Sequence, residues 1–303
     1  MGTPLVRSGK FYSGTNLQCG ENVVIDVAEE VIVGDRCVLP DNAYFSGRRI
    51  TIGNDFYGYS WGHSAFHNHK LFGVPTPFGR WLEIGRGRRE DEDAILDVGS
   101  RCVFHDNRID LARRVDIGSD VGLSPEVVIY THGYWMSPLH GFPMDYGNVF
   151  IGNRNIIGFR SLLLPGSSVG NNVVVGAQSV VAGHLRSDAV YAGSPARKIR
   201  DVKAVDYEKG LPKWERENRE RLLNSYLQEY TRSVDYRMRS QHHADLFTVN
   251  YPIVTFLDTK FDVETLTVEG EEDERTDDFR WFMFTRGIRF YTLRPFRKLP
   301  RRV

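Results

Sequence analysis

"IGNRNIIGFRSLLLPGSSVGNNVVVGAQSVV", from Ile151 to Val181, returns an aliphatic residue at every sixth position: Ile151, Ile157, Leu163, Val169, Val175 and Val181. On a helix, at about 100° per residue, six steps turn each aliphatic some 120° from the one before, so they point in three directions and form no stripe. A flat strand would keep residues six apart on one face, but it would also keep those two and four apart there. Those places include Asn153, Asn155, Ser167, Asn171 and Ser179. What remains is a short strand followed by a corner, repeated, with one aliphatic per repeat turned inward. The residue after the aliphatic is Gly152, Gly158, Gly170, Gly176 or Ala182, with Leu164 the exception. Glycine lacks a Cβ and tolerates positive φ, which suits a corner. The pattern predicts a mainly β chain, a parallel β-helix of hexapeptide repeats.

The same frame recurs upstream. Ile117, Leu123 and Ile129 are six apart, as are Val98 and Phe104, and Val33, Leu39 and Phe45. The repeat therefore runs, with interruptions, from about Val23 to Leu185. Each unit buries its aliphatic only by stacking on its neighbours, so separated runs in one frame belong to one solenoid.

The chain has 303 residues and is 41% hydrophobic, enough for a substantial core. Lys plus Arg and Asp plus Glu both number 39, so no global field draws in nucleic acid or a membrane surface. Cys19, Cys37 and Cys102 have no metal-ligand spacing and form no even disulfide framework, which fits a reducing compartment. No segment reads as a secretory leader or a bilayer span. A soluble cytoplasmic protein is expected.

Three segments break the frame. Tyr57 to Arg80, "YGYSWGHSAFHNHKLFGVPTPFGR", reads as an extruded loop. "RGRREDED" from Arg86 reads as a solvated turn. Gly133 to Asn148, "GYWMSPLHGFPMDYGN", follows Thr131 and His132 directly. Loops carried on a rigid scaffold are where binding residues concentrate. After Arg200 the pattern changes. Trp214, Leu222, Leu223, Tyr226, Leu227 and Tyr230 recur at helical spacing, predicting an amphipathic helix over 212–239. Strand-like runs follow in "LFTVNYPIVTFLD", "FDVETLTVEG" and "FRWFMFTRGIRFYTL". Two domains are expected: a β-helix over 1–200 and a smaller α+β domain over 201–303. The basic end "RPFRKLPRRV" reads as a frayed tail.

The stretch from Ile151 through "AGSPARKIR" resembles the carboxy-terminal coils of hexapeptide-repeat acyltransferases of the left-handed parallel β-helix type. Those commonly close with Gly-Asn-Pro-Ala-Lys, matched here by Gly193, Ser194, Pro195, Ala196 and Arg197. The resemblance covers about the first two thirds of the chain. It implies a left-handed β-helix, a homotrimer with active sites in the grooves between prisms, and acetyl-coenzyme A as donor. It also implies a catalytic His at the end of a coil before an extruded loop, which carries over to His132 in "VVIYTHGYW". Donor contacts carry over to Gly158, Gly176 and Ala177 for the pantetheine arm, and to Arg197 and Lys198 for the nucleotide phosphates. For each glycine a plain corner is the competing reading, and for the two cations a solvated turn. Relatives often carry an acidic residue shortly after the His, where this chain has Gly133 and Tyr134. Asp116, Asp145 or a backbone carbonyl are the candidates to orient His132.

The chemistry suits an imidazole. A hydroxyl is a poor nucleophile near neutral pH, and a side chain with an ordinary pKa of about 6.5 can take its proton in the transition state. The thiolate of coenzyme A leaves readily, so no strong acid is demanded. Backbone N–H groups at corners could receive the developing oxyanion. No Cys-centred nucleophile arrangement stands out, and direct transfer without an acyl-enzyme is expected. Trp61, Tyr134, Trp135 and His105 are candidates to line the acceptor mouth, with loop anchoring as the competing role for the aromatics. His63, His67 and His69 crowd one loop without a carboxylate or Cys at ligand spacing, so no metal is expected. Three functions stand open: O-acetylation of a sugar in a surface polysaccharide or its precursor, N-acetylation of an amino sugar on a nucleotide carrier, and a silent β-helix serving as an assembly or binding module.

Overall fold

The computed structural model of the chain describes residues 2–58, 82–85, 88–133, 136–202, 213–238, 247–270, 273–286, 288 and 290–292. Trp61, His63, His67, His69, Tyr134 and Trp135 lie outside them. The chain forms two compact units, Met1–Ala204 and Val205–Val303.

The first unit is a parallel β-helix of three walls. One wall stacks Glu83–Gly85, Arg108–Asp110, Val128–Ile129, Leu162–Leu163 and Val180–Val181. The second stacks Ile95–Val98, Val115–Ile117, Val149–Ile151, Ser168–Val169 and His184–Leu185. The third runs from Gln18–Cys19 through Gly122–Leu123 and Ile156–Ile157 to Ala189–Ala192, where Arg197–Asp201 folds back antiparallel. The six aliphatics from Ile151 to Val181 are 0 to 3% exposed. They stack in register, Ile117 on Ile151 on Val169 and Leu123 on Ile157 on Val175, so each coil is the floor of the next. Burying such a side chain contributes about 1.5 to 3 kcal/mol.

The corners divide their work differently from the expectation. The glycines after the aliphatics do not carry the positive φ. That falls two residues later, on Asp120, Arg154, Arg160, Asn172 and Gln178, with φ between 55° and 60°. The glycines are needed for close approach: a Cβ on Gly118 would stand 2.5 Å from Asn153 Oδ1 and 2.8 Å from the Gly152 carbonyl carbon, and one on Gly152 would stand 2.7 Å from Gly170 O. Side chains at the left-handed positions bind the coil next to them, Arg101 pairing with Asp120 and Arg160 with Glu126.

The first coils also depart from the frame. Leu5–Ser13, Val24–Val33 and Tyr44–Ile52 are single strands of nine or ten residues. Between Val24–Val33 and Tyr44–Ile52 the register shifts after Val27, so one corner is flattened into a bulge and the buried spacing becomes Ile25, Val27, Val31, Val33. In the charged turn, Arg89 is tied to Ser8 and Asp26 rather than merely solvated.

In the second unit the helix spans Lys213–Met238 and buries Leu223, Leu227 and Tyr230. Phe247–Asn250, Ile253–Phe256, Thr259–Asp262 and Thr267–Glu269 form an antiparallel meander. Of the strand-like run expected from Phe279, the first half instead completes a helix, Glu274–Thr285, while Tyr291–Thr292 near its end is a strand pairing parallel with Thr267–Glu269. Phe279 and Met283, four apart, are both fully buried, a helical spacing that dense aromatics disguise as a strand. Asp273 caps this helix, its Oδ1 accepting from the N–H groups of Arg275 and Thr276. Among the described residues no helix is long and apolar enough to cross a membrane.

Candidate active site

His132 opens a β-hairpin that leaves the solenoid at a corner. His132–Gly133 pairs antiparallel with Asp145–Tyr146, and a 3-10 turn, Pro138–His140, lies between them. The N–H of Gly147 donates to the Thr131 carbonyl at 2.9 Å. The ends of the hairpin therefore meet, and the coil resumes at Val149–Ile151.

One coil earlier lies Asp110. Because Ile109 stacks on Ile129, Asp110 arrives level with the Tyr130–Thr131 corner. Its Oδ2 accepts from the Thr131 N–H at 2.9 Å and from Thr131 Oγ1 at 2.6 Å, and stands 2.6 Å from His132 Nδ1. The Asp110 side chain is 2% exposed and that of His132 29%. An ionised carboxylate only accepts hydrogen bonds, so this contact fixes a proton on Nδ1 and makes Nε2 the basic nitrogen of the neutral ring. The other Asp110 oxygen, Oδ1, is buried and has no hydrogen-bond partner among the described residues. Asp110 was not among the candidates for orienting His132. Asp116, which was, is engaged by Arg114 at 2.8 Å, and Asp145 lies exposed on the hairpin opposite Gly133.

Two further side chains complete the arrangement. The Tyr146 ring stacks on the His132 ring at 5.8 Å between centres and 21° between planes. The Arg113 guanidinium lies 4.4 Å from the centre of the Tyr146 ring, and the Arg113 N–H donates to Thr131 Oγ1 at 3.1 Å. The Thr131 hydroxyl thus joins the residues on both sides of the imidazole.

No protein-family model matches the chain. Over 144 residues it is 37% identical to the Escherichia coli K12 protein named "Putative lipopolysaccharide biosynthesis O-acetyl transferase WbbJ", a match that spans 41% of this chain and 70% of that protein. The chain belongs to the hexapeptide-repeat acetyltransferases. It is also 33% identical over 97 residues to the galactoside O-acetyltransferase of the same organism, across 30% of this chain and 46% of that protein, so it spans less than half of that relative. A third relative, the dTDP-4-amino-4,6-dideoxy-D-glucose acyltransferase of Escherichia coli, is 26% identical over 139 residues, across 40% of this chain and 71% of that protein.

The residues carried over for donor contact share another corner of this acetyltransferase fold. Gly158 donates its N–H to Val175 O at 2.8 Å, and a Cβ there would meet Ala177 N at 2.6 Å. Gly176 donates to Tyr191 O at 2.8 Å, and Arg197 pairs with Ala192 on the next rung. Coil stacking alone requires Gly158, whereas Ala177 and Arg197 are exposed. Lys198 is exposed too, with Asp201 at 2.6 Å raising its pKa. His105 sits at the corner after Val103–Phe104, away from the hairpin in the coil sequence. Burial pushes its pKa down to about 4, which keeps the ring neutral. All three cysteines are free and buried, and desolvation lifts the Cys37 thiol to about 12, which makes it inert.

Proposed function

We propose that this hexapeptide-repeat acetyltransferase transfers the acetyl group of acetyl-coenzyme A to a hydroxyl of a sugar in a surface polysaccharide or its precursor, with His132 as general base. The observation that carries the proposal is the 2.6 Å contact between a buried carboxylate and the Nδ1 of a half-exposed imidazole. The names of the two O-acetyltransferase relatives point the same way for the acceptor.

Nε2 of His132 takes the proton as the acceptor oxygen attacks the thioester carbonyl. The imidazolium so formed is stabilised by Asp110, and its Nε2 proton can be returned to the departing sulfur. Acetyl-coenzyme A supplies an activated acyl group and a good leaving group. Ala177, Arg197 and Lys198 would meet it along the corner column they share, Arg197 offering charge to phosphate oxygens. A homotrimer, with each base beside a groove shared by two chains, and a cytoplasmic setting belong to the same proposal.

The test is thiol release from acetyl-coenzyme A across a panel of sugar acceptors. His132→Ala should lower turnover by about a hundredfold or more, the worth of general-base catalysis, and unchanged turnover would remove the assignment. The dTDP-amino-sugar relative supports a second reading, an amine acceptor. Amino sugars in the panel separate the two, since the O-acetyl reading fails if only they are acetylated. Absence of coenzyme A binding by calorimetry would leave a silent scaffold.

A further inference from the structure

The proton transfer assigned to His132 uses Asp110 and Thr131, yet the same corner holds a cation that the chemistry does not call on. Arg113 is fixed at both ends. Its backbone N–H is held by Thr131 Oγ1 and its guanidinium lies on the Tyr146 ring, whose neighbour is the imidazole itself. Such a cation–π contact orients the planar fork without consuming its N–H donors.

Among the described residues its donors are mostly uncommitted. Nη1 donates to the adjacent Ala112 carbonyl at 2.8 Å. The carboxylate facing the fork is that of Asp93, 3.7 Å from Nε and 59% exposed, a separation at which a surface pair contributes little. Other arginines of the solenoid are engaged far more closely, Arg36 with Asp55 at 2.8 Å and Arg114 with Asp97 at 2.6 Å. Those pairs tie coil to coil, whereas Arg113 is braced on the hairpin beside the base.

We propose that Arg113 selects acceptors carrying an oxyanion, a carboxylate or a phosphate ester, close to the hydroxyl that His132 deprotonates. The inference rests on the O-acetyl reading of the site. Geometry allows one glycosyl unit to reach both groups: the guanidinium carbon is 4.4 Å from the Tyr146 ring centre and that centre 5.8 Å from the imidazole, which puts Arg113 within about 10 Å of the base. The Tyr146 ring is packed between the two groups, so the acceptor would span them past its edge. An anionic substituent gains a charge-assisted hydrogen bond to a fork already oriented, while a neutral sugar gains nothing from it.

The experiment measures binding and transfer in the 303-residue chain with three probes: methyl glucoside, methyl glucuronide and glucose 6-phosphate. Calorimetry on the wild type should show one or both anionic probes bound about 10- to 100-fold more tightly than the neutral one, the range of a charge-assisted contact, with the advantage eroding as salt is added. The two anionic arms tell carboxylate from phosphate recognition. In Arg113→Gln the advantage should shrink to within about threefold, and in Arg113→Lys, which keeps charge but loses the fork, it should be intermediate. Equal binding of all three probes by the wild type, no detectable binding of either anionic probe, or a uniform loss in Arg113→Gln would each overturn the proposal. Because binding requires no turnover, discrimination without transfer would sink the O-acetyl reading instead, and transfer without discrimination would sink this one alone.

Discussion

Replacing Asp110 by Asn isolates the charge behind the proposed base, His132, while keeping its shape. Thr131 N–H, Thr131 Oγ1 and His132 Nδ1 converge on one carboxylate oxygen at 2.9, 2.6 and 2.6 Å, so the amide oxygen must occupy that place and its NH2 must take the other. The Nδ1 tautomer survives and the negative charge does not. A neutral imidazole is nearly indifferent to that loss, but the imidazolium of the transition state is not. Two unit charges about 4 Å apart at an effective dielectric of about 20 attract by about 4 kcal/mol, and each 1.36 kcal/mol is tenfold in rate. We therefore expect kcat to fall by about 10²- to 10³-fold, with KM for donor and acceptor changed little. Initial rates of thiol release at saturating substrate test this, and a downfield Nδ1 proton of His132 by NMR checks that the ring stays in place. If Asp110→Asn kept kcat within about threefold while His132→Ala was inactive, the carboxylate would not be assisting the base, and the derivation from the 2.6 Å contact would be wrong.

Removing the inward side chain at Leu163, which is fully buried, should cost about 2 to 5 kcal/mol in urea unfolding as Leu163→Ala. Gly118→Ala forces a Cβ against the backbone of the next coil and should cost about 1 to 3 kcal/mol, whereas Gly122→Ala meets nothing within 4 Å and should be neutral or slightly stabilising by the same assay. Burial, with a further push from Glu126, lifts the Asp106 carboxyl to about 6, so the folded state holds that proton more tightly than the unfolded chain does. Its contribution is then present below about pH 4 and lost as pH rises through 6. Asp106→Asn should accordingly raise stability by more at pH 7 than at pH 4, by about 1 to 2 kcal/mol once its partial exposure is discounted. His105 works in the opposite sense, since a pKa lowered to about 4 contributes stability above pH 6.5 that is lost as pH falls through 4. His105→Gln should therefore flatten the loss of melting temperature on acidification.

The solenoid was legible because its signal is local: each inward aliphatic and each tight corner repeats within six residues. His132 became a candidate through the resemblance, which implies a His at the end of a coil before an extruded segment. The partner of His132 was not legible, because Asp110 lies twenty-two positions back and meets the imidazole only through stacking of Ile109 on Ile129, a register of twenty. Counting back one full coil from Tyr130 leads to Asp110. Asp116, sixteen positions before His132, falls instead in the next wall. Of the two reasons for the corner glycines, the missing Cβ holds and the positive φ does not, since sequence shows that a Cβ is absent without showing whether φ or a neighbouring backbone forbids it. In the second unit, "FRWFMFTRG" has strand composition, and only the joint burial of Phe279 and Met283 reveals the helical period.

The single bond from Gly147 to Thr131 has an evolutionary consequence. With entry and exit clasped together, the chain leaves the coil at His132 and returns to it after Tyr146 at the same corner, and the rungs above and below stack independently of what lies between. Substitutions between His132 and Tyr146 can therefore accumulate without renegotiating the architecture that bears the weight.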